Sequence, residues 1–99
     1  MHMLMRAVLP VETANKAVPD GTLGAICEKV FSAIHPEAVY FLAHQGKRCC
    51  MVFFDLKSPS DIPSIAEPFF LGLNAEIEFI PVMNTEELMK GLAGHQANS

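Results

Sequence analysis

The chain has 99 residues, half of them apolar, and seven Lys or Arg against eleven Asp or Glu leave a formal net charge of −4. With no basic cluster, that balance argues against nucleic acid or an anionic membrane as partner, and no apolar run approaches the roughly 20 residues of a membrane span. The length makes one domain, near the size at which only about two thirds of the unfolded surface can be buried, so a mean hydropathy of +0.27 points to an apolar interface.

Met3 to Leu9 is a short apolar strand interrupted by Arg6 and closed by Pro10, which cannot donate to a ladder. Helix-start signals follow at Thr13, Asp20 and Thr22, with Pro19 between them. The pattern predicts a short first turn and then a main helix from about Gly21 to Ile34, whose apolar stripe is Leu23, Ile26, Cys27, Val30 and Ile34. His35-Pro36 ends it, because the residue before proline leaves the α region. Two β-rich runs come next, Ala38 to Ala43 and Cys49 to Phe54, joined by a turn around Gln45 and Gly46. Neither run alternates as a strand with one face in water should, so both faces are expected to be covered.

Ser60 is the expected cap of a second helix that starts at Ile62 and tolerates Pro63 in its first turn. Its stripe is Ile62, Ile65, Ala66, Phe69 and Leu73, with a kink expected at Pro68 and Asn74 as the C-terminal cap. Ala75 to Met83 reads as a fourth strand, and Asn84-Thr85-Glu86-Glu87 caps a short helix to about Leu92. Residues 1–94 make one domain, and 95–99 are expected to form a flexible C-terminal tail.

The element order is β-α-β-β-α-β, the α+β arrangement of ferredoxin-like domains. Right-handed crossovers then give a four-stranded antiparallel sheet of order 4-1-3-2 with two helices on one face. Two helices leave the other face of an over-apolar sheet uncovered, which predicts a homodimer through that face. A chain of this length and order, over-apolar in its sheet, resembles the dimeric α+β barrel superfamily, in which two such sheets pack face to face. The stretch DIPSIAEPFFLGLNAEIEFIPVM is similar to one in short bacterial proteins of that superfamily with no assigned function. The resemblance implies kinship of fold with muconolactone isomerase and small cofactorless monooxygenases. No catalytic motif of either matches here, so no active-site residue carries over and no cofactor is implied.

Arg6 is the most informative charge, since an unpaired cation on a central strand is costly if buried. The predicted order sets the fourth strand beside it, so Glu76 or Glu78 should face it, either as an ion pair or as part of a pocket for a small acid. Tyr40 and His44 are four residues apart and share a strand face, where a hydroxyl and an imidazole could meet a ligand; the bland alternative is a packed tyrosine and a solvated turn histidine. Phe70, beside Phe69, exceeds what one helical stripe buries and could wall an apolar pocket between helix and sheet. Asp55 and Glu67 read as solvated or capping carboxylates. Cys27, Cys49 and Cys50 show no CxxC or ligand spacing and read as reduced, small core residues, with a redox role for Cys49 or Cys50 as the alternative; His2, His35 and His95 form no ligand spacing with them, so no metal is expected. Met1 to Leu9 lacks the apolar core and cleavage site of a signal peptide, which makes a cytoplasmic location the expectation.

The expected function is a small homodimeric domain that binds at most a small organic ligand in the sheet cavity, with Arg6, Tyr40, His44, Phe70 and Glu78 as candidate ligand-binding residues and no metal or cofactor. Two alternatives stand beside it: a cofactor-independent isomerase or monooxygenase acting on a small, partly apolar acid, with Arg6 as anchor and His44 or Glu78 as base, and a protein-interaction or regulatory domain.

Overall fold

The computed structural model describes residues 1–97. Four strands, β1 (His2–Val8), β2 (Ala38–His44), β3 (Lys47–Asp55) and β4 (Glu76–Pro81), form one antiparallel sheet in the order β2-β3-β1-β4. Read from the other edge this is the predicted 4-1-3-2, consistent with a ferredoxin-like arrangement. The helices are α1 (Val11–Ala17), α2 (Thr22–Ile34), α3 (Ile62–Leu73) and α4 (Thr85–Ala97).

Strand alternation decides which side of the sheet is the core. In β1, Met3, Met5 and Ala7 are buried while His2, Leu4, Arg6 and Val8 are half-buried on the other side. The buried set packs with Cys50, Val52 and Phe54 of β3, and α1, α2 and α3 close over them with Ala14, Val30, Ile65, Phe69 and Leu73. Phe54 meets Phe79 of β4 edge to face at 6.4 Å between ring centroids, which carries the core to the β4 side. All three of these helices therefore cover one face.

The local signals explain the joints. Gln45 and Gly46 both have positive φ, 51° and 78°, which is the turn whose twist matches a two-residue hairpin. Asp20 accepts from the Thr22 amide at 2.8 Å as α2 begins, and Asn74 ends α3 in the left-handed region at φ 51°.

Several expectations are corrected. The first helix starts at Val11, directly after Pro10 and not at Thr13, because the Pro10 carbonyl already accepts from Ala14 at 3.0 Å. Ser60 does not cap α3: it lies in a 3-10 turn, Pro59–Asp61, that Ser58 caps, and Asp61 precedes the helix. α3 spans Ile62 to Leu73 with Pro68 inside it, as the predicted stripe requires. β4 is shorter than the predicted run from Ala75 to Met83. The last helix continues to Ala97, five residues past the expected end at Leu92, and residues 98–99 lie outside the described residues.

Candidate functional site

Away from the helices, the second face of the sheet lies open. The register lines up one residue from each strand across it: Tyr40 opposite Met51, Met51 opposite Arg6, and Arg6 opposite Glu78. Around this row the face is apolar, with Leu4 and Val8 from β1, Leu42 from β2, Phe53 from β3 and Ile80 from β4. Tyr40 is 62 % exposed and stands edge-on to Phe53 at 6.5 Å between centroids.

The predicted charge pair is present, and Glu78 is the partner. Arg6 donates from Nε to Glu78 Oε1 at 3.0 Å and from Nη2 to the same oxygen. Among the described residues, Arg6 Nη1 and Glu78 Oε2 carry no hydrogen bond, so a donor and an acceptor stay available at the centre of the face. Glu76 is opposite Val8, two residues along β4.

His44 shares this face but sits at the hairpin end opposite Lys47, about 13 Å along the strand from Tyr40 at ~3.3 Å per residue, so it stands apart from the row. Phe70 is not part of the site. It lies on α3, on the far side of the sheet, and the helix phase that buries Phe69 completely turns Phe70 outward at 42 % exposure. It walls no pocket between helix and sheet.

Cys49 is on the open face between Val8 and Leu42 and is nonetheless buried, and burial pushes its thiol up against a smaller opposing pull from Arg6. Burial drives Cys50, on the core side, up to about 12 and raises Cys27 as well. All three are free thiols in surroundings that suppress the nucleophilic thiolate. Among the described residues no group of three or more His, Cys, Asp or Glu is placed to hold a metal ion.

One contact at the rim of the face had no signal in the sequence. His2, the outermost open-face residue of β1, donates from Nδ1 to Glu87 Oε1 at 2.5 Å, while its Nε2 lies 3.4 Å from Glu37. Glu87 is also the third residue of α4's capping box: Asn84 N donates to Glu87 Oε1 at 3.1 Å and Glu87 N to Asn84 Oδ1 at 2.8 Å. The first turn of α4 is thereby tied to the edge of the open face. A cleft of about 490 Å³ beside it is bordered by Tyr40, Phe53, Val82, Met83 and Asn84. A larger cleft, about 650 Å³, lies among the helix-side loops between Lys29, His35, Lys57 and Ser64, away from the row.

No helix is long and apolar enough to cross a membrane among the described residues. The class these observations define is a small α+β domain, with a four-stranded antiparallel sheet covered on one face and carrying the Arg6–Glu78 ion pair at the centre of its open one. No protein-family model matches the chain, and no curated protein is similar to it.

Proposed function

We propose that the protein is a homodimeric binding module: two copies stack their open sheet faces as in a dimeric α+β barrel, and the space enclosed between them holds a small organic ligand. The observation that carries this reading is the Arg6–Glu78 pair with its free donor and acceptor, set with Tyr40 in an otherwise apolar face. Apolar side chains from all four strands, Leu4, Leu42, Phe53 and Ile80, surround the pair and suit it to a covered position. Stacking would also cover the pair and strengthen every hydrogen bond a ligand makes to it.

Glu78 already balances the charge of Arg6, so a carboxylate entering here would bring uncompensated negative charge beside Glu78. A neutral ligand carrying a donor and an acceptor side by side on an apolar body, such as a hydroxy-ketone or an amide, suits the pair better than the small acid that Arg6 alone suggested. Tyr40, two strands from Arg6 and so about 10 Å away, would line the apolar end.

Thermal melting tests this with matched compounds, each neutral amide or hydroxy-ketone set against the carboxylate of the same body. At 100 times its dissociation constant a ligand adds about 2.7 kcal/mol, which for a domain of this size raises Tm by roughly 10–20 °C. The neutral members should give the shift, and Glu78→Leu should abolish it. A panel silent at millimolar concentration, in a protein that remains dimeric, would refute the ligand.

A further inference from the structure

Every described residue of α4 is exposed, including Leu88, Met89 and Leu92 at 43 %, 59 % and 47 %. Leu88 and Leu92 are one turn apart on one side of the helix, with Met89 beside them. A helix of 13 residues with glycine at 91 and 94 is marginal in water without a tertiary partner. Its first turn is closed by the Asn84 capping box and tied to the body by the His2–Glu87 bond. The Cα radius of gyration, 15.9 Å, exceeds the ~12.6 Å expected of a compact chain this long, and the molecule is 54 Å in its longest dimension. The stripe has no seat on its own body.

We infer that the apolar stripe of α4 docks on a second copy of this chain, each helix of the pair gripping the other protomer. The inference rests on the sheet-to-sheet pairing proposed above. Area argues for it. Four strands about 4.8 Å apart and some seven residues long give the open face a flat footprint of roughly 400 Å², so stacking two faces covers a footprint of about 800 Å² in all, toward the low end for a specific contact. A helix ~20 Å long and ~10 Å across covers about 200 Å² of its own surface and as much of its neighbour's. With both helices of a two-fold pair engaged, the buried area reaches about 1,600 Å², the size of a specific and stable interface. Placement argues for it too. His2 and the Val82–Asn84 segment set the root of α4 at the rim of the open face, where a stacked copy lies within reach.

The test is sedimentation equilibrium of the full chain carrying Leu88→Glu and Leu92→Glu, with far-UV circular dichroism to confirm that the body remains folded. Both positions are already exposed, so the substitutions leave the protomer core intact. The dissociation constant should rise at least tenfold over the unaltered chain. A value within threefold of it overturns the inference. Tyr40→Ala, on the sheet face, separates the two readings: a dimer weakened by Tyr40→Ala and indifferent to the helix pair leaves stacked sheets standing and removes α4 from the interface. An unaltered chain that sediments as a 10.8 kDa monomer up to millimolar concentration overturns both.

Discussion

Replacing Tyr40 with alanine measures whether the open face is an interface. Tyr40 is 62 % exposed on its own protomer. A tyrosine offers about 200 Å², so roughly 120 Å² of this side chain is open to whatever covers the sheet. If a partner covers about half of that, burial at ~25 cal/mol per Å² contributes about 1.5 kcal/mol per copy and about 3 kcal/mol per dimer, a loss of order a hundredfold in Kd when the ring is removed. The protomer should hardly notice, since the ring's contact with its own chain is the edge-to-face one with Phe53. The sequence supplies its own probe as well: Tyr40 is the sole tyrosine and there is no tryptophan, so intrinsic fluorescence reports this position alone. Sedimentation equilibrium over a dilution series gives Kd, and iodide quenching of the tyrosine should fall as protein concentration rises through it. A Kd within threefold of the unaltered chain, with quenching independent of concentration, would refute the stacked-sheet reading.

Other expectations concern the protomer. Phe69→Ala empties a fully buried site in α3 and should cost about 3–5 kcal/mol, whereas Phe70→Ala, one residue on and exposed, should change the urea midpoint little; equal losses would mean the helix phase is wrong. Gly46→Val places a branched side chain at φ 78° in the hairpin turn and should cost about 1–2 kcal/mol or more in the same assay. The His2 imidazole is held above its ordinary 6.5, chiefly by its hydrogen bond to Glu87. Because the folded state raises this pKa, the tie to α4 is at full strength below 6.5 and is lost as pH rises through the raised value, so amides in the first turn of α4 should exchange faster, after correction for intrinsic rates, on the alkaline side. In His2→Gln that pH dependence should vanish, and its survival would assign it elsewhere.

Much of the fold could be read from short-range pattern. The alternation of HMLMRAV separates core from open face in β1, the left-handed residues Gln45, Gly46 and Asn74 fall where turn chemistry puts them, and the strand order that follows from connectivity brings Arg6 to β4. Alternation puts Glu76 and Glu78 on the same face as Arg6, and only the register, which no local pattern encodes, narrows the partner to Glu78. The stripe through Phe69 already set Phe70 off the buried side of α3, but whether an off-stripe aromatic meets a neighbour depends on tertiary packing that the periodicity does not carry; Gly72, lying against Ile26, marks how closely α2 and α3 approach. The length of α4 was hidden by Gly94, a residue that disfavours a helix interior, just past the expected end at Leu92. The His2–Glu87 bond spans 85 residues, so no local spacing encodes it.

β2 closes one side of the sheet, and among the described residues no strand lies beside its outer ladder of amides and carbonyls. The run Ala38 to Ala43 is six residues of high β-propensity with neither charge, proline nor glycine, which is the composition of a steric zipper. The segment that must lie at the border of the native sheet is therefore also the one best able to template a fibril when the protein is heated or newly made. Pro36 and Glu37 stand immediately before it, and His44 and Lys47 after it. These flanking residues act as gatekeepers, a proline and charges that a growing cross-β stack would have to accommodate at each end of the run. Neutralising Glu37 and Lys47 together would strip the charges from both ends of the run and leave Pro36 as the remaining guard.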